Sequence, residues 1–376
     1  MSNLKDRFSN AAFALRGYNV TNMGKSPQLL AHPKFGPIVE SYLREASEIC
    51  SEVIQQPVDL VTRVKEAREP TLDEYAEAIT LIVSMEQAQL RLLDEFFGIK
   101  FQDARVACGF SLGEISALVA AGVYTMKDAL QIPLAMASDG VQLAQDVELG
   151  VLFSRADSLP LHEIRRAFID INQQGDGIIG ISTHLAPNSV LVLGSGSTMD
   201  AFRARVKQIA PKGLHLRKND NRWPPLHTPL MWAKNIPNRA AQMLLTLPGG
   251  ITAPKPPILS LVTGTTCYSD LNSREIIAQW IDHPQRLWDV VCELLSMGVT
   301  KIIHVGPEPN IVPATFERLA QNVMSQSKES RRVRALSAAA QRRWLQVVLP
   351  KKAMLLRAPH VQHVILEDWL LEQKVN

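Results

Sequence analysis

The residue in this sequence best suited to chemistry is Ser111, at the centre of Gly109-Phe110-Ser111-Leu112-Gly113, a G-x-S-x-G. A serine hydroxyl attacks carbonyl carbon once a neighbouring base removes its proton. The flanks match that use. An apolar run, Arg105 to Cys108, leads in, and an Ala/Leu-rich helical pattern, Glu114 to Ala121, leads out. Strand, sharp turn and helix are the setting of a nucleophile elbow. The two glycines remove Cβ atoms where the turn is tight and where helix and strand pass closely. Ser111 then sits over the positive end of the helix, and the backbone N–H of Leu112 is available to a developing oxyanion. The alternative reading is a glycine-rich strand-to-helix turn with Ser111 as an N-cap.

A base is the next requirement. His227 lies in Trp223-Pro-Pro-Leu-His-Thr-Pro-Leu-Met231. Taken alone, a histidine between prolines fits a structural part as well as a catalytic one. Other motifs are weaker. Gly194-Ser-Gly-Ser-Thr198 resembles a phosphate cradle but lacks a following lysine, and it also suits a strand-to-helix turn capped by Ser197 or Thr198. His360 and His363, with Glu367 and Asp368 nearby, read as surface rather than as a metal site.

These residues need a scaffold. The chain has 376 residues, 46% apolar, with a formal net charge of +3. That supports a sizeable core and gives no global attraction to nucleic acid or acidic lipid. Cys50, Cys108, Cys267 and Cys292 are scattered, as expected of reduced thiols in a cytoplasmic protein. No uncharged run reaches the roughly 18 residues of a membrane helix.

In chain order, Ala11 to Leu15 reads as a strand, and helices are expected over 37–54, 72–97 and 128–145, the last interrupted at Pro133. Residues 148–220 then read strand, helix, strand, strand, helix, strand, the order of a ferredoxin-like module. Strands at Ile258–Val262 and Lys301–Val305 alternate with helices over 275–295 and from Phe316. The fold class expected is α/β: a mostly parallel sheet covered on both faces, over 10–147 and 221–325, with the ferredoxin-like unit inserted. Residues 326–376 form a C-terminal extension. It opens basic (Lys328, Arg331, Arg332, Arg334, Arg342, Arg343, Lys351, Lys352), a solvated face. It ends in an apolar stripe, Val361 to Leu371, expected to dock on the body or on a second subunit.

The ordered series Gly-Phe-Ser-Leu-Gly-Glu, ferredoxin-like insert, His-Thr-Pro-Leu-Met, Ser260-Leu-Val-Thr-Gly264 and Val305-Gly306-Pro307 resembles the acyltransferases that include malonyl-CoA:acyl carrier protein transacylases and the acyltransferase domains of fatty acid and polyketide synthases. The resemblance covers about residues 10–325. It implies Ser111 as nucleophile and His227 as base, with the histidine oriented by a backbone carbonyl near the Val-Gly-Pro turn, at Asn310. It also implies acyl-CoA as donor, the phosphopantetheine thiol of an acyl carrier protein as acceptor, and no bound cofactor or metal.

Three positions depart from the family. Its N-terminal loop reads Pro-Gly-Gln-Gly-Ser-Gln, where a glutamine contributes to the oxyanion hole through its backbone; here Arg16-Gly17-Tyr18-Asn19-Val20-Thr21 stands there, so the backbone of Tyr18 takes that role. Phe110 replaces a histidine before the serine and makes the pocket floor more apolar, or is a packing exchange. Malonyl-selective members carry an arginine in the helix after the serine; its place falls on Met136, and no arginine occurs from Gln131 to Gln145. A guanidinium pairs both oxygens of a carboxylate, which Met136 cannot do. The expected acyl pocket, with Phe110, Met136 and Leu226, therefore suits a neutral acyl group, unless an arginine of the insert supplies the charge. Two other functions compete: an acyl hydrolase in which water deacylates the serine, and a degenerate acyltransferase retained as an interaction module.

Overall fold

A computed structural model describes residues 4, 8–155, 158–209, 213–329 and 351–375. Its larger sheet is five-stranded and wholly parallel, in the order Ile258–Leu259, Val106–Gly109, Ala11–Leu15, Lys301–Val305 and Gln362–Ile365. The strands are β1 (Ala11–Leu15), β2 (Val106–Gly109), β7 (Ile258–Leu259), β8 (Lys301–Val305) and β9 (Gln362–Ile365). β1, β2 and β8 are buried at every position, as continuous apolar runs covered on both faces should be. One side packs against the helices Gly36–Ile54 and Tyr75–Phe97, the other against Leu287–Ser296 and Ile311–Glu329.

The smaller sheet is antiparallel: β3 (Val147–Ser154), β4 (Ile179–Ala186), β5 (Ser189–Ser195) and β6 (Leu214–Lys218), in the order β4-β5-β3-β6. The helices Leu161–Asn172 and Thr198–Ile209 lie on one face around Phe168 and Phe202. This is ferredoxin-like topology, and the α/β class read from the sequence holds.

Several local expectations need correction. The helix over 128–145 is two helices, Met126–Ala135 and Ala137–Ala144, and the break falls at Met136 rather than at Pro133. The strand at 258–262 is only Ile258–Leu259, because the chain turns at once, with Gly264 N–H bonding back to Ser260 O. Helices at Ser26–Ala31, Leu60–Lys65 and Ile236–Thr246 were not expected. Arg331, Arg332, Arg334, Arg342 and Arg343 lie outside the described residues.

The C-terminal stripe docks on the body. β9 pairs with β8, and the helix Leu366–Glu372 sets Trp369 edge-on to Phe97. Glu367, expected at the surface, is 1% exposed. Its carboxylate accepts the N–H of Lys25 at 2.9 Å and of Glu308 at 3.0 Å, which ties two loops together. Burial pushes its pKa up to about 7. His363 is also inward: its Nδ1 lies 2.8 Å from Nε2 of buried His304. Among the described residues no group of three or more His, Cys, Asp or Glu could hold a metal ion.

Candidate active site

β2 ends at Gly109, and the helix Leu112–Ala120 begins three residues later, leaving Ser111 at the apex with φ 52° and ψ −115°. That backbone costs about 1–3 kcal/mol in a non-glycine residue and persists only where its surroundings impose it. The glycines make the bend possible. A Cβ on Gly109 would lie 2.0 Å from the Gly113 carbonyl, and one on Gly113 would lie 2.4 Å from Leu15 O.

Ser111 Oγ is 2.7 Å from His227 Nε2. His227 also has a positive φ, 66°, and its N–H donates to Ile281 O at 2.7 Å. Its Nδ1 lies 2.6 Å from the carbonyl of Trp280. A carbonyl only accepts, so Nδ1 carries the proton and Nε2 presents a lone pair to the serine hydroxyl. The sequence expectation placed this carbonyl at Asn310, and that is corrected. Asn310 is on the cleft rim, where its Oδ1 accepts Val312 N–H and caps the helix Ile311–Glu329. The end of the helix Ser273–Trp280 reaches His227 instead, since its last carbonyls are free of intrahelical partners.

Trp280 and Gln285 are the two contacts that sequence reasoning missed. The Trp280 indole N–H donates to Ser111 O at 2.9 Å, and Gln285 Oε1 accepts Ser111 N–H at 3.1 Å. The only hint was the break at His283-Pro284, which forces the chain to turn beside them. Burial pushes the His227 pKa down from 6.5 to about 4, partly offset by the Trp280 carbonyl; among the described residues no charged side chain contributes. The imidazole is therefore neutral at ordinary pH.

Leu112 is the first residue of its helix, so its N–H has no intrahelical acceptor. Tyr18 follows Gly17, where a Cβ would lie 2.6 Å from Phe110 O and 3.2 Å from Ser111 Cβ, so this loop runs against the elbow. Arg16 anchors the loop. Fully buried, it bonds Gly17 O, Asn22 Oδ1 and Pro307 O, and its N–H donates to Glu86 at 2.7 Å. The unusual loop sequence thus carries its own support. The Tyr18 ring meets Tyr75 and Trp223 edge-on, at 4.7 and 5.7 Å.

Ser111 and His227 open into a cleft of about 330 Å³ between the two sheets. Phe110 and Leu226 line it, with Tyr18, Tyr75 and Trp223, and the small sheet contributes Leu149, Val151, Ser182, Thr183, Leu191 and Leu193. Among the described residues, no Lys, Arg, Asp or Glu lines it. Met136 is not in its wall, which corrects the expectation. It is 4% exposed and borders a separate void of about 10 Å³ behind Tyr75, Pro224 and Leu226. Those three residues, from a different helix and from the segment before His227, line both spaces. At Gly194–Thr198, Gly196 N–H bonds the Asp146 carboxylate at 3.0 Å, so an acid already fills the supposed phosphate cradle.

No family model matches the chain. It is 26% identical over 279 residues to a naringenin synthase of Pestalotiopsis fici, a match that covers 74% of this chain and 10% of that protein. The chain thus spans about a tenth of the length of the curated relative it matches. Among solved structures it is similar to a malonyl-CoA:acyl carrier protein transacylase of Xanthomonas oryzae, at 20% identity and TM-score 0.63, covering 82% of this chain and 90% of that one. It is also similar to a malonyl-transacylase solved in complex with its type II PKS acyl carrier protein, at 22% identity and TM-score 0.62, covering 80% and 90%. The likeness extends to FabD of Acinetobacter baumannii, at 18% identity and TM-score 0.62, covering 80% and 88%. The fold is that of the malonyl-CoA:acyl carrier protein transacylases.

Proposed function

We propose that this chain transfers an uncharged acyl group from an acyl-thioester of coenzyme A to the phosphopantetheine thiol of an acyl carrier protein, through an ester on Ser111. The observation that carries the reading is the Ser111 Oγ–His227 Nε2 contact of 2.7 Å, with Nδ1 held by a carbonyl, at the wall of a cleft with no charged lining residue among the described residues. Ser111 Oγ attacks the thioester carbonyl as its proton passes to His227 Nε2. The tetrahedral oxyanion is met by the N–H groups of Leu112 and Tyr18. The C–S bond breaks, and the thiolate of coenzyme A leaves with the proton from His227. The carrier thiol then gives its proton to His227 and attacks the ester, and Ser111 recovers its hydrogen.

The solved relatives are named for malonyl transfer, and the cleft argues for a different donor here. Malonate carries a free carboxylate, and burying it without a cation costs several kcal/mol. The small sheet, which could have supplied an arginine, presents Leu149, Val151, Leu191 and Leu193 instead. The two-unit arrangement, with the ferredoxin-like unit as one wall of the cleft, belongs to the same proposal.

Intact-protein mass spectrometry after brief incubation with acetyl-, malonyl-, methylmalonyl- and longer acyl-CoAs tests it, with Ser111→Ala as control. The expected result is a single neutral acyl adduct, absent in the mutant and discharged faster by a holo carrier protein than by water. A malonyl adduct alone would overturn the neutral-acyl reading. Discharge by water at an unchanged rate in the presence of carrier would make the protein a hydrolase. No adduct with any donor would leave it an interaction module.

A further inference from the structure

Gln285 is not one of the reacting groups, yet its side chain reaches both Ser111 and His227. Its side chain is fully buried. Oε1 accepts the N–H of Ser111, and Nε2 stands 3.3 Å from His227 Nδ1. Its main chain belongs to a different contact. Gln285 N–H donates to Ser182 O and Gln285 O accepts His184 N–H, both at 2.8 Å, so the residue is a parallel rung opposite Thr183 on β4. Ser182 and Thr183 line the cleft.

The amide has one orientation that satisfies these neighbours. Ser111 N–H is a donor and needs an acceptor, which places Oε1 there and turns the NH2 group toward the imidazole. The Nδ1 proton already points at Trp280 O, so Nε2 does not bond Nδ1 in this tautomer. It closes the space beside the ring and sets a donor next to a second donor. That juxtaposition opposes double protonation of the imidazole.

We infer that Gln285 is a positioning residue that couples the small antiparallel sheet to the Ser111–His227 pair. Whatever presses on Ser182 and Thr183 from the cleft reaches the backbone of Ser111 through the Gln285 side chain, while Ser182 Oγ also donates to Leu226 O, one residue before His227, at 3.4 Å. The inference rests on the proposed roles of Ser111 and His227 and is independent of which acyl group is carried.

The test uses the full chain and a small alkyl fluorophosphonate. This probe forms an Oγ–P bond with loss of fluoride, while His227 takes the serine proton. It therefore reports activation of Ser111 without an acyl donor. Gln285→Leu leaves Ser111 N–H without its acceptor. It should slow the maximal labelling rate about 10- to 100-fold, the cost of a small misplacement, with little change in half-saturating probe concentration. Gln285→Glu keeps an acceptor for Ser111 and places a carboxylate oxygen beside Nδ1–H. An opposite charge at that distance raises an imidazole pKa by about 1–3 units, so the low-pH limb of labelling should move up by at least about one unit.

A purely structural role would slow both variants and leave that limb where it was. If Gln285→Leu fails to fold, Gln285→Glu still decides. Leu-variant labelling within about twofold of the wild type, or an unmoved limb in the Glu variant, overturns the inference. Wild-type protein that labels no better than Ser111→Ala overturns the proposed function itself, together with this role. Wild-type labelling with indifferent variants overturns only the role of Gln285.

Discussion

The two walls of the cleft are built on different principles. On the wall that carries the elbow, hydrogen bonds fix Ser111 and His227. Both backbone polar groups of Ser111 have partners in Gln285 and Trp280, and both ring nitrogens of His227 are engaged. The facing wall of the small sheet is largely aliphatic, with Leu149, Val151, Leu191 and Leu193 from strands whose side chains alternate between cleft and core. Hydrogen bonds set geometry to tenths of an ångström, whereas apolar contact sets size and excludes charge. The first wall should therefore govern rate and the second selectivity, and substitutions on each should move different kinetic parameters.

The sharpest break would come from the base. His227→Ala should lower the rate of Ser111 acylation about 1,000-fold, in the range of a lost general base, with acyl preference unchanged. Stopped-flow acylation with two donors would measure both. A variant that changed preference and left the rate alone would dissolve the distinction between the walls.

On the opposite wall, Val151→Arg places a guanidinium in the cleft and should raise the malonyl-to-acetyl acylation ratio about tenfold or more, while the acetyl rate falls little. Met136→Arg should not do the same. Its site is behind Tyr75 and Leu226, so the new charge would be buried without a partner and cost about 3 kcal/mol or more, visible as a lower melting temperature. A malonyl gain from Met136→Arg would show that the cleft extends further than the structure shows.

Solution pH sharpens the same comparison. The folded His227 pKa is about 4, below the ordinary 6.5, so the neutral base persists until pH falls to about 4. Acylation should hold level from about pH 8 to 5 and fail below. A half-rate point at 6.5 would mean that the imidazole is far wetter than its burial implies. Stability follows the same sign. Between 6.5 and about 4 the unfolded chain takes up a proton that the folded His227 refuses, so this residue's contribution is intact above 6.5 and erodes as pH falls through that window. The smallest effect should come from Leu193→Ala, which widens the pocket and should favour longer acyl chains by about 0.8 kcal/mol, or fourfold, per methylene accommodated.

What the sequence revealed depended on how local the signal was. The elbow was legible because strand, two glycines and helix are contiguous. The ferredoxin-like unit was legible because its six elements follow one another with clear periodicity. The misses are tertiary. A backbone carbonyl has no residue identity, so Trp280 O could not be told from the Asn310 carbonyl. Gln285 follows a proline in a stretch that reads as a helix break, and its amide matters only because folding brings Ser111 and His227 to it from far along the chain. Met136 was expected in the acyl pocket, and its place beside a separate void behind Tyr75 is a matter of packing. Glu367 looked like surface because an acid in a short polar stretch usually is.

β9 brings a different kind of consequence. It covers the outer side of β8, whose five residues are all buried and include Ile302, Ile303 and Val305. Without residues 362–365, β8 would present a row of unpaired N–H and C=O groups on an apolar, β-branched strand. Such an edge is a template for another copy of the same strand. A chain cut at about residue 325 should therefore assemble edge to edge in a concentration-dependent way, and its fibres or oligomers should be suppressed by adding back a peptide spanning 361–372. A truncated protein that stays monomeric would show that β8 guards its own edge.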